Sequence, residues 1–139
     1  MEQQEIIWVR FPYSDFSQQK TRPALIVSNN NYNEKANDIV ICAITSNTEQ
    51  TPYSVLIDQH DISRGTLKIP CKIRADKIIQ INKKFAFKAF AKLGGEKFNE
   101  VTNQLAELIS KKPRPPKSLF GAHPEMKKFK RDKSDFGDI

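Results

Sequence analysis

Apolar residues in this chain come in bursts of strand length, one after another, with only brief polar links between them. "EIIWVRF" alternates, placing Ile7, Val9 and Phe11 on one face and Ile6 and Trp8 on the other. "PALIVSN" and "DIVICAIT" are continuous runs rich in β-branched residues, and "YSVLID" is a fourth segment of the same kind. "TLKIPCKIRADKIIQI" reads as one long bent strand or as two, with Pro70 at an edge or bulge. "FAFKAFAKLG" fits a further strand or a short helix. Short strands in such close succession exclude a βαβ layout and predict a small barrel or sandwich.

The period changes at "GEKFNEVTNQLAELIS". Phe98, Val101, Leu105 and Leu108 recur at helical spacing, supported by Thr102 and Ile109, so an amphipathic helix is expected to pack on the sheet. Gly94 and Gly95 precede it, and Lys111 and Lys112 follow it with the charge that suits a helix C-terminus. "KKPRPPK" then ends regular structure with a stiff, extended linker. The organisation read from the sequence is a domain over residues 1–112, a proline-rich linker over 113–117 and a tail over 118–139. The tail's apolar residues follow no firm period and cannot build a core. They can gain stability by docking on an existing surface, with Leu119, Phe120 and Phe129 as anchors.

Charge points toward an anionic partner, but unevenly. Lys and Arg number 23 against 16 Asp and Glu, a net charge of +7. Residues 111–139 hold nine of these cations and four of the anions, so most of the excess lies outside the strand-rich body. The opening "MEQQEIIWVRF" has neither a basic start nor a long apolar stretch, and no run reaches membrane-span length; a cytoplasmic protein without membrane contact is expected. Cys42 and Cys71 sit singly in apolar runs, which fits buried free thiols rather than a zinc site or a disulfide framework.

Five polar side chains stand where strands begin, end or alternate. Arg22 precedes Pro23 at the start of a strand-like run, where a restricted backbone can hold a guanidinium against two phosphate oxygens; a solvated turn arginine is the alternative. Thr45 and Ser46 end "ICAIT", where hydroxyls can donate to phosphate or simply serve turn chemistry. Arg74 and Asp76 are two apart in "KIRADK" and share a strand face, as a reactive pair or as a surface ion pair. RNA can be cut without metal when its own 2′-OH attacks the adjacent phosphate. That reaction needs a base, a donor for the leaving oxygen and positive charge on the phosphate.

Taken in order, "IIWVRFPYSDFSQQKTRPALIVSNNNYN", "DIVICAITSN" and "CKIRADKI" resemble the PemK/MazF family of toxin endoribonucleases, over about residues 5–110. The resemblance implies a mainly β protein, an SH3-like small β-barrel with a C-terminal α-helix, assembled as a homodimer. It implies metal-independent, cofactor-free cleavage of single-stranded RNA such as mRNA, growth inhibition, and a cognate antitoxin. It makes Thr45 the partner of Arg22, and it gives Ser46 a weaker claim beside them. In the Kid branch of the family an Arg-x-Asp motif has catalytic roles, which implies the same for Arg74 and Asp76. Kid-like members carry a histidine in the loop before the TRP motif, whereas this chain has Phe16 there; His60 and His123 lie in no matching motif. The loop is instead expected to contact RNA through Phe16 stacking and Gln18 and Gln19 hydrogen bonds, together with Lys20, Ser46 and Asn47; a mobile polar loop is the alternative.

Two other classes share this kind of barrel: CcdB-like gyrase poisons and plain RNA-binding modules. Neither requires the Arg22, Thr45 and Arg74-x-Asp76 set. The segment "SLFGAHPEMKKFKRDKSDFGDI" resembles AbrB-type antitoxin tails over a short stretch, and implies that the chain's own tail is an alternative to a separate antitoxin.

Overall fold

The computed structural model describes residues 1–11 and 20–115. Along the chain these form β1 (Glu5–Arg10), β2 (Thr21–Ile26), α1 (Asn30–Lys35), β3 (Asp38–Thr45), β4 (Ser54–Ile57), β5 (Ile62–Gly65), β6 (Cys71–Asn82), β7 (Ala86–Leu93) and α2 (Gly95–Ile109). The strands make one sheet in the order β4-β6-β3-β2-β1-β7-β5, antiparallel throughout and curled into a half-barrel. Mainly β architecture with a C-terminal helix is the class expected from the apolar runs.

Both faces of the sheet are buried, which is why several strands read as unbroken apolar runs. One core contains Leu25, Cys42, Ile44, Ile73 and Leu93, closed by Phe98 and Val101 of α2. On the opposite face Val9, Ala24, Ile26, Ile39, Ile41 and Ile81 form a second core. β1 feeds both, with Ile6 in the first and Ile7 and Val9 in the second, as its alternation predicts. α2 packs through Phe98, Val101 and Leu105, while Ile109 at its end is 78% exposed. Both cysteines are free and buried.

Four local features differ from the reading of the sequence. β2 begins at Thr21, so Arg22 lies inside the strand rather than before it. The long run around Pro70 resolves into a single strand that starts at Cys71, with the proline just outside it. "ISRG" forms β5, which carries one apolar residue and so has no period to read. Gly65 ends it at φ +85°, where a Cβ would sit 2.2 Å from the Phe90 carbonyl oxygen, so the close approach to β7 requires glycine. The asparagine cluster builds α1: Asn29 caps it by accepting from Tyr32 N at 2.8 Å, and buried Asn33 donates to the Ser28 carbonyl at 2.9 Å. The ambiguous "FAFKAFAKL" is strand β7, paired with β1 on one side and β5 on the other. Among the described residues no helix is long and apolar enough to cross a membrane.

Candidate active site

Arg22 and Thr45 lie at the neighbouring ends of β2 and β3. The ladder between them runs from Ile26↔Ile41 to Ala24↔Ala43 and stops at Pro23, which has no N–H to continue it. Carrying that register two residues further sets Arg22 level with Thr45, one strand spacing away (about 4.8 Å). Both side chains project on the face away from α2, because Leu25 and Ile44 beside them point into the helix-covered core. Arg22 is exposed, lies opposite Val9 of β1, and has no ion-pair partner among the described residues. Its guanidinium is therefore available to an anion from solution.

β6 supplies the second pair. Ile44↔Ile73 and Cys42↔Ile78 are both in register, so residues 74–77 of β6 face Ala43 alone. Arg74, paired with Ser54 of β4, and Asp76 both fall within this irregular stretch. The two side chains form a fork: Arg74 Nε donates to Asp76 Oδ1 at 3.1 Å and Nη2 to Oδ2 at 2.9 Å. The hydrogen bond to Asp76 raises the guanidinium's pKa, so Arg74 is a fixed cation. Asp76 is also felt on β3: burial, with a smaller push from the Asp76 charge, takes the Cys42 thiol up to about 12.

The link between β3 and β4 arches from Thr45 to this pair. Thr45 Oγ1 accepts from Asn47 N at 3.2 Å, and Asn47 Oδ1 accepts from Glu49 N at 2.9 Å. At the far end the carbonyl of Tyr53, a residue in the left-handed region at φ 57°, accepts from Ala75 N at 2.9 Å, between Arg74 and Asp76. Ser46 and Asn47 are exposed directly after Thr45, and Lys20 is exposed just before β2. These three expected RNA contacts thus flank the Arg22–Thr45 strand ends. Phe16, Gln18 and Gln19 lie outside the described residues, as do His123 and the tail anchors Leu119, Phe120 and Phe129. His60 sits on an exposed turn beside Asp58, its side chain 96% exposed.

One residue of the site escaped the reading of the sequence. Lys72 is only 4% exposed, is paired in register with Thr45, and reaches into the β3–β4 link. The signal was present in "CKIRAD", since Lys72 alternates with Arg74 and Asp76 on one strand face. A groove of about 590 Å³ opens elsewhere, along β5 and β7 beside Arg64, Phe87 and Phe90, and none of the four candidate catalytic residues lines it. Among the described residues no group of three or more His, Cys, Asp or Glu side chains is placed to hold a metal ion.

Comparison with known proteins gives a consistent family. Residues 2–109 match the family model described as PemK-like, MazF-like toxin of type II toxin-antitoxin system. No curated protein sequence matches the chain. Among solved structures, an endoribonuclease in complex with its cognate antitoxin from a mycobacterial species is similar at TM-score 0.65 and 21% identity, covering 83% of this chain and 99% of that one. MazF from Deinococcus radiodurans is similar at TM-score 0.64 and 23% identity, covering 78% and 96%. A MazE–MazF structure from the same organism is similar at TM-score 0.66 and 22% identity, covering 78% and 95%. At these identities the structural likeness establishes the fold.

Proposed function

The chain belongs to the PemK-like, MazF-like toxins of type II toxin-antitoxin systems, and from that premise we propose that it is a metal-independent, sequence-selective endoribonuclease that cuts single-stranded RNA in the cytoplasm. The observation that carries this reading is the Arg74–Asp76 fork on β6, the sheet neighbour of β3, with Arg22 and Thr45 at the adjoining ends of β2 and β3. A binding module, whether a gyrase poison or an RNA binder, has no need of the Arg22, Thr45 and Arg74-x-Asp76 set.

In this proposal Arg22 grips two non-bridging oxygens of the scissile phosphate, and Thr45 donates its hydroxyl to the same phosphoryl group. Asp76, oriented by both Arg74 bonds, takes the proton from the 2′-OH. The 2′-oxygen then bonds to phosphorus, the bond to the 5′-oxygen breaks, and the leaving oxygen takes a proton from water at this open face. Arg74 serves as orienter of the carboxylate and as a second charge on the phosphate. Lys20, Ser46 and Asn47 contact neighbouring nucleotides, with Phe16, Gln18 and Gln19 of the preceding loop reading bases. A homodimer and a cognate antitoxin complete the proposal, the latter in line with the relatives solved with theirs.

The deciding experiment is incubation with mixed RNA in EDTA and mapping of the new ends. The expected products carry a 2′,3′-cyclic phosphate or 3′-phosphate and a 5′-OH. Products with a 5′-phosphate, or cutting that requires magnesium, overturn the mechanism.

A further inference from the structure

We propose that Lys72 is a positioning residue that clamps the β3–β4 link and so holds the two halves of the site in one geometry. The inference rests on the endoribonuclease reading for its consequence, but not for the clamp itself.

The burial of Lys72 needs a reason. Its side chain lies on the same face as Thr45, its register partner on β3, and is only 4% exposed. Among the described residues no carboxylate pairs with its ammonium. An ammonium taken out of water without a counter-charge is unfavourable for folding unless its protons are used. Two hydrogen bonds use them: Nζ donates to the Glu49 carbonyl at 2.6 Å and to Thr51 Oγ1 at 3.2 Å. Both acceptors belong to the link between β3 and β4.

That link touches both halves of the site. It starts at Thr45, whose hydroxyl accepts from Asn47 N, and it ends at Tyr53, whose carbonyl accepts from Ala75 N between Arg74 and Asp76. Lys72 grips it midway. With the clamp in place, the Thr45 hydroxyl, Ser46 and Asn47 have a fixed distance from the Arg74–Asp76 fork. The fixed positive charge beside Thr45 also favours a phosphate arriving there. Fold stability alone does not call for lysine at this position. Glu49 and Thr51 are exposed, so water replaces the ammonium as their partner when it is removed. An apolar chain of equal length fills the same space without desolvating a charge.

The test compares Lys72→Met and Lys72→Arg with the full-length wild type. Melting temperature, amide hydrogen exchange at Asn47 and Glu49 in RNA-free protein, and kcat and KM on a cleavable oligonucleotide are measured. Lys72→Met is expected to melt no lower than wild type, to exchange these amides about ten-fold faster or more, and to lose about ten-fold or more in kcat with a smaller change in KM. Lys72→Arg, which keeps the charge and the donors, is expected to recover part of both losses. Unchanged exchange in Lys72→Met overturns the clamp. A variant that melts lower yet keeps its kcat when folded makes Lys72 a fold residue and overturns the proposal too. If wild type cuts no RNA, the endoribonuclease reading fails, and the exchange data still decide the clamp.

Discussion

Arg74 holds Asp76 by both carboxylate oxygens across one face of β6, at 3.1 and 2.9 Å. The two side chains keep 36% and 31% of their exposure, so the pair is partly solvated. Partly solvated pairs contribute about 0–1 kcal/mol to stability. A bidentate fork in that setting fixes direction more than it stabilises the fold.

Asp76→Asn keeps the shape of the side chain and removes its basicity. Cleavage is expected to fall by about 10²-fold or more, the scale of a lost general base, with little change in melting temperature. An Asp76→Asn variant that keeps wild-type kcat/KM would remove Asp76 from the base role.

Arg22→Ala and Thr45→Val should each lower cleavage by about 10²-fold or more, since each removes a donor aimed at the phosphoryl group. Both side chains sit at strand ends outside the two cores, so thermal melting should be nearly unchanged. Leu25→Ala is the contrasting control: Leu25 is 0% exposed, and truncation there should cost about 2–5 kcal/mol while each folded molecule keeps its activity. Loss of stability with retained specific activity in either site variant would reassign that residue to the fold.

The legible parts of this molecule are those that follow a period. β1, β3, β4 and α2 were readable because their apolar residues alternate, run on, or recur at helical spacing, and the burial of Ile7, Ile41, Phe98 and Val101 follows that pattern. The motif positions Arg22, Thr45, Arg74 and Asp76 fall on three strands that are neighbours in the sheet. Other parts depend on contacts between distant residues. β5 exists because β7 offers it an edge, and its own residues carry one isoleucine. α1 is built from side-chain caps rather than an apolar stripe. Lys72 was passed over because strand alternation shows which face a lysine takes, and not whether a loop folds back to bury it.

Residues 1–112 should behave as the folding unit. The last residue of either core is Val101, with Leu105 packed against it. Beyond α2 the Lys112–Glu107 pair at 2.7 Å joins two side chains that are each more than half exposed, and so adds little. A chain ending at Lys112 is expected to melt within a few degrees of full length, whereas one ending at Gly94 loses Phe98 and Val101 and should not fold cooperatively. A marked drop for the longer truncation product would show that residues 113–139 contribute to the domain.

Cys42 gives the fold a defined weakness at high pH. Burial raises its thiol from 9.0 to about 12, with a lesser contribution from Asp76, and burial moves Cys71 the same way. The unfolded chain releases the Cys42 proton near pH 9.0, while the folded chain holds it until about 12. Across that window the folded state binds more protons than the unfolded one, so stability falls as pH rises; below it, the contribution is fully present. One such group gives a slope of about 1.4 kcal/mol per pH unit. Cys42→Ala removes it. The variant is expected to start less stable at pH 7, because it loses a buried side chain, and then to lose less stability than wild type between pH 9 and 11. Urea melts at pH 7, 9, 10 and 11 measure both slopes, and the difference between wild type and variant isolates the contribution of Cys42. Parallel slopes would mean that the Cys42 thiolate is tolerated in the folded core.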